Sequence, residues 1–161
     1  SGWMGHAKPF AFELGYAAAG GVERMRVGTP PVLAMAALEA SLDIWDRVDM
    51  AEVRARSLAL GDLLIAEVAR RCRSLKLVTP RAHEHRGSQV SFAFDGGYAA
   101  MQALIARGVI GDFRAPDIMR FGITPLYIGE TEVLKAAEII EEVIAGEVWR
   151  RPEYQVVNAV T

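Results

Sequence analysis

The sequence predicts an α+β fold, with helices on one face of a mostly antiparallel sheet. Three observations carry this expectation. Residues 89–94 alternate between inward apolar and outward small or polar side chains, the period of a strand. Residues 29–72 and 131–145 place apolar side chains at helical spacing. Past Pro80 the elements run β-α-β-β-α, an order that suits a sheet covered on one side.

Taken in order, residues 1–28 hold no lasting period. They are rich in glycine and aromatics, turn at Gly20-Gly21, and read as loop and short strand left from a preceding domain. Thr29-Pro30-Pro31 opens the first helix, with Thr29 as N-cap and proline at the first helical position. Its apolar positions are Val32, Met35, Ala36, Leu38, Leu42 and Trp45. A second helix starts at Asp49, which forms a capping-box-like pair with Glu52. It runs to about Cys72, with Leu58, Leu63, Leu64 and Val68 toward the core. In the strand over 89–94, Val90, Phe92 and Phe94 point inward, Ser91 and Ala93 outward. Residues 98–107 read as a helix stopped by Gly108, and 109–113 and 118–123 as two further strands. Residues 131–145 form the last amphipathic helix, capped by Gly146. The polar tail from Arg150 is expected to be poorly ordered. The expected division is thus 1–28 as a remnant, 29–149 as the main α+β domain with its linking helix, and 150–161 as tail.

Composition narrows the function classes. A 52% hydrophobic chain of 161 residues has ample apolar material for a core, and a formal net charge of -2 points to no nucleic acid or membrane surface. No apolar run is long enough to span a bilayer, and the N-terminus lacks the basic-then-apolar pattern of a signal peptide. Without an initiator methionine, the chain is expected to be cut from something longer. Cys72, the single cysteine, allows no internal disulfide, which fits the cytoplasm, and reads as a packed thiol. Lysines are few: Lys8, Lys76 and Lys135.

Three residues stand out chemically. Thr29, in Gly28-Thr29-Pro30-Pro31, is either a phosphate contact at a helix N-terminus or a plain helix cap. Trp3, flanked by Gly2 and Gly5, is either a donor-only indole aimed at a ligand or a hydrophobic anchor. Arg120 stands alone in the apolar run Ile118-Met119-Arg120-Phe121-Gly122-Ile123. It is either a two-point clamp for a carboxylate or half of a structural ion pair with Asp112 or Asp117. His83-Glu84-His85 lacks a further ligand at useful spacing and reads as a solvated loop, so no metal site is expected.

The segments GWMGHAKPF, VGTPP, ALEASLDIWDRVDM, RGSQVSFAF and ALIARGVIGDFRAPDIMRFGITPLY, in this order, resemble the C-terminal part of the kynureninase family. The likeness covers residues 1 to about 149. It implies the small domain of a fold type I enzyme of the aminotransferase class V group, dependent on pyridoxal 5'-phosphate (PLP). It further implies hydrolysis of L-kynurenine to anthranilate and L-alanine, in tryptophan catabolism and NAD biosynthesis, by a cytoplasmic homodimer. By the resemblance, Trp3 contacts the PLP phosphate, Thr29 contacts it across the dimer interface, and Arg120 clamps the substrate's α-carboxylate.

What is absent also follows from the resemblance. The family's Schiff-base lysine lies upstream of the Gly-Trp segment, and none of Lys8, Lys76 and Lys135 sits in its context. The chain is therefore expected to lack an N-terminal large domain, to hold no catalytic residue of its own, and to be inactive alone. Two rival readings stand beside this one. A cysteine desulfurase needs a nucleophilic cysteine before the arginine strand, and residues 105–117 contain none. A non-catalytic α+β binding module would explain the missing lysine without truncation.

Overall fold

The computed structural model describes residues 2–156. The chain forms two compact units, Ser1–Val48 and Asp49–Thr161.

The first unit contains 3-10 turns at Trp3–Gly5 and Gly21–Met25, one bridge between His6 and Ala18, and helix α1 at Val32–Leu42. Thr29 is not the cap of α1. Pro31 occupies the N-cap position, and its carbonyl accepts the first helical bond from Met35 N at 3.0 Å. A proline disfavours helical backbone in the residue before it, so Pro31 keeps Pro30 out of the helix and Thr29 cannot be its cap. The helix also ends sooner than expected, at Leu42, and Trp45–Arg47 is a separate 3-10 turn. No residue of α1 is buried: Leu33 is 88% exposed and Leu38 59%. Its apolar side chains are spread around the whole circumference, so no polar face is left.

The second unit is an α+β domain. Helix α2 spans Met50–Arg71, β1 Lys76–Leu77, β2 Gln89–Ala93, α3 Gly97–Ile105, β3 Asp112–Arg114, β4 Ile118–Gly122, α4 Glu130–Ala145 and the short α5 Pro152–Gln155. The sheet is antiparallel throughout, in the order β1-β2-β4-β3. Asp49 caps α2, its Oδ1 accepting from Ala51 N at 2.6 Å and Glu52 N at 3.3 Å. The buried line of α2 runs through Ser57, Leu60, Leu64, Ile65 and Val68, while Leu58 and Leu63 lie half-buried at its edges.

Val90, Phe92, Met119 and Phe121 of the sheet share one core with Leu60, Leu64 and Val68 of α2, Met101 and Leu104 of α3, and Ala137, Ile140 and Val143 of α4. The expected alternation of β2 needs one correction, because Ser91 is buried along with Val90 and Phe92. Ser91 is covered on the far face: its N–H donates to Thr79 Oγ1 at 2.8 Å, and its hydroxyl accepts from Gln89 Nε2 at 3.1 Å. β3 begins at Asp112, three residues later than expected. Gly108 turns the chain at φ +85, and a Cβ on Gly111 would meet Met101 and the Arg120 carbonyl, so 109–111 is a close-packed connection.

The tail forms α5 over 152–155 in place of the poorly ordered segment expected, and the expectation for residues 157–161 lies outside the described residues. Trp149 stacks edge-on against Phe94 at 5.2 Å, and Tyr154 packs on the core, its hydroxyl within 3.3 Å of Arg107 Nη1. Trp149, just before the tail, and Tyr154 within it anchor the chain through residue 155. Among the described residues no helix is long and apolar enough to cross a membrane, and no group of histidine, cysteine or carboxylate side chains could hold a metal.

Candidate functional site

Trp3 and Thr29 lie in the first unit, and Gly2 and Gly5 explain how their segments meet. A Cβ on Gly2 would collide with the backbone of Val27, and one on Gly5 with the carbonyl of Arg24. The turn bearing Trp3 is thus laid flat against residues 24–27, the stretch that leads into Gly28-Thr29. The loop after Trp3 closes on itself through Ala7 N to Ala17 O at 2.7 Å, Ala19 N to Gly5 O at 2.9 Å and the Tyr16 hydroxyl to Gly5 O at 3.1 Å.

His6 locks the same loop from inside. Its Nδ1 accepts the Lys8 backbone N–H at 2.9 Å, which leaves the ring proton on Nε2, 3.1 Å from the Gly15 carbonyl. Trp3 is 51% exposed and packs edge-on against Phe10 at 5.6 Å. Trp3, His6 and Lys8 line a shallow cavity with Phe12 and Tyr16. Neither the indole N–H nor the Thr29 hydroxyl is spent on a hydrogen bond among the described residues, so both remain available as donors. Freed from capping, Thr29 is exposed.

Arg120 lies in the second unit, at the centre of β4. Met119 and Phe121 on either side face the helices, so Arg120 projects from the opposite face of the sheet. Its register partners are Ser91 on β2 and Asp112 on β3. Arg120 Nη2 donates to Asp112 Oδ2, and the same oxygen lies 3.2 Å from Arg114 Nη2. Arg120 Nε is buried and has no hydrogen-bond partner among the described residues. Of the two carboxylates weighed in the sequence, Asp112 pairs with Arg120, and half of the guanidinium's bidentate edge stays unused.

A second arginine went unnoticed in the sequence. The Arg86 side chain is 2% exposed, ion-paired with Asp62 and within 3.4 Å of the Leu58 carbonyl. Burial pushes the Asp62 carboxyl up, but its bonds to Arg86 and His83 outweigh this and hold it below the usual value. His83 Nε2 lies 2.8 Å from the same carboxylate, and Arg54 Nη2 donates to the carbonyls of His83 and Arg86 at 2.7 and 2.8 Å. His83 and Arg86 therefore clasp the loop before β2 to α2, while Glu84 and His85 stay exposed. Cys72 is buried and its thiol is pushed up to about 11 by burial, the nearby Glu141 charge adding to the shift, which makes it a poor nucleophile.

Comparison with known proteins places this architecture. A NifS-like protein superposes with a TM-score of 0.63 at 21% identity, over 79% of this chain and 38% of its own. A C-DES mutant with glycine covalently linked to its PLP cofactor superposes with a TM-score of 0.69 at 22% identity, over 88% of this chain and 37% of its own. The fold is thus the α+β arrangement that a PLP-carrying protein also uses over about two-fifths of its length. The family model for the kynureninase C-terminal domain matches residues 53–140. Kynureninases of Burkholderia mallei and Pseudomonas fluorescens are 48% and 49% identical to the chain across its whole length. The chain belongs to the kynureninase C-terminal domain family. It spans 39% of the length of the curated relatives it matches.

Proposed function

We propose that the chain is the C-terminal part of a PLP-dependent kynureninase that hydrolyses L-kynurenine to anthranilate and L-alanine. The observation that carries this reading is the half-used guanidinium of Arg120 on a rigid strand, inside the segment matched by the family model. An arginine fixed on a strand with its Nε uncommitted suits a planar carboxylate, which the guanidinium fork can meet at two points.

The donor set suits the cofactor. The indole of Trp3 and the hydroxyl of Thr29 are uncommitted donors, the kind a phosphate group accepts from, and they would hold PLP at that end. When bound, PLP supplies an electron sink for bond breaking beside the substrate's α-carbon. Arg120 holds the α-carboxylate and so fixes which substrate bonds face the ring. No lysine of the chain matches the family's Schiff-base lysine, so proton movement at the α-carbon is assigned to the portion of the relatives that this chain does not span. On the same reading the working protein is a cytoplasmic homodimer serving tryptophan catabolism and NAD biosynthesis.

The test is release of fluorescent anthranilate from L-kynurenine by the whole protein carrying this chain with PLP. Turnover that falls sharply in Arg120→Ala is expected. No release of anthranilate, or a rate indifferent to Arg120, would overturn the proposal.

A further inference from the structure

The carboxylate of Asp112 bridges two arginines through one oxygen, Oδ2, leaving Oδ1 outside both pairs. The three side chains differ in their surroundings. Arg120 is 29% exposed, Asp112 44% and Arg114 64%. A pair this open to water is weakly held, since solvent screens it and the free ions are well hydrated. On Arg120 the bond uses Nη2, and Nε beside it is buried without a partner. Nε and Nη2 are the two nitrogens of one guanidinium edge, so a carboxylate that takes this edge at two points competes with Asp112 for Nη2. It takes the edge unopposed once Asp112 lets go.

We propose that Asp112 is a displaceable internal counterion, which holds Arg120 until a carboxylate ligand arrives and then stays with Arg114. This rests on the reading of Arg120 as the carboxylate clamp and adds a positioning residue to it. β3 carries Asp112 and Arg114 two positions apart, hence on the same face of the strand, and pairs Asp112 directly with Arg120. The handover therefore needs a side-chain rotation and no movement of the sheet. Until it happens Asp112 neutralises the guanidinium. A ligand without a negative charge has little to offer in exchange, so the trio selects for carboxylates.

Competition of this kind lowers the apparent affinity by the fraction of clamp left open. For an exposed pair that fraction is modest, so removing the competitor should tighten carboxylate binding on the order of fivefold. The two flanking residues should then act in opposite directions. Asp112→Asn frees Arg120 and strengthens binding. Arg114→Gln deprives Asp112 of its second partner, ties it to Arg120 and weakens binding.

The experiment is an NMR titration of the chain with acetate, with acetamide as the neutral control, followed at the Arg120 Nε–H resonance. The expected result is acetate binding that tightens in Asp112→Asn, weakens in Arg114→Gln and is not matched by acetamide. Shifts of the same sign in both variants, or weaker binding in Asp112→Asn, would overturn the counterion role. Arg120→Ala is read at the backbone amides of Ser91 and Asp112. If acetate binding there survives Arg120→Ala, or no variant responds to acetate, the clamp assignment itself fails and the counterion role falls with it.

Discussion

Gly2 lies so close to Val27 that no other side chain fits between them. This one contact lays the Trp3 turn against the segment that runs into Thr29. Gly2→Ala should therefore disturb the first unit and leave the second alone. Overpacking of this kind costs about 1–3 kcal/mol. Amide exchange should speed up across residues 2–27 and stay unchanged in α2, α4 and the sheet. Unchanged protection around Trp3 would contradict the contact.

Arg120→Ala should lower kcat/KM of the whole protein on the order of 10²-fold, because each charge-assisted hydrogen bond is worth about 1.5–3 kcal/mol. Arg120→Lys should restore little of it, since an ammonium group lacks the planar fork. PLP affinity should stay near its original value in both variants. Steady-state kinetics and a PLP titration separate the two effects.

Trp3→Phe and Thr29→Val each remove one donor while keeping most of the shape. Each should weaken PLP binding by about tenfold or more, the scale of a hydrogen bond to a charged group. The KM for L-kynurenine measured at saturating PLP should move little. A loss confined to substrate binding would reassign these residues.

Asp62→Ala strips the partner from an arginine whose side chain is 2% exposed. A buried unpaired charge is costly, so the second unit should lose about 2 kcal/mol or more in chemical denaturation. The same pair sets an acid limit. Asp62 titrates below its unfolded value of 3.8, so its contribution is present above that pH and is lost as pH falls through the lower folded value. Arg86→Met, which removes the buried charge together with its partner's need, should cost less than Asp62→Ala.

Cys72 should resist thiol reagents at pH 8 in the folded chain and react once the chain is unfolded. Its folded value of about 11 lies above the unfolded 9.0, so its contribution to stability is full below pH 9 and fades between pH 9 and 11. Mass spectrometry after alkylation at several pH values reads both effects.

The sequence made the architecture legible where one period persisted. The run Val90-Ser91-Phe92 and the Met119-Arg120-Phe121 triplet announced strands, and Asp49 with Glu52 announced a helix start that the structure keeps. Other features were set by partners distant in the chain. Ser91 is buried by Thr79 and Gln89, Trp149 is half-buried against Phe94, and Arg86 is buried by α2. Local composition carries no trace of such cover. Thr29 misled for another reason: Pro31 keeps Pro30 out of the helix, and a cap rule that counts residue types does not count the backbone restriction a proline puts on its neighbour. At Arg120 the two readings offered by the sequence were the clamp and the ion pair. The ion pair with Asp112 is present, and the unpaired Nε beside it is what the residue pattern could not convey.

Helix α1 has one further consequence, for the chain handled by itself. A helix with no polar side leaves Leu33, Leu38 and their neighbours in water, and apolar surface of that kind is sticky. The solubility of the isolated chain should therefore be limited by α1, even where the second unit is fully folded.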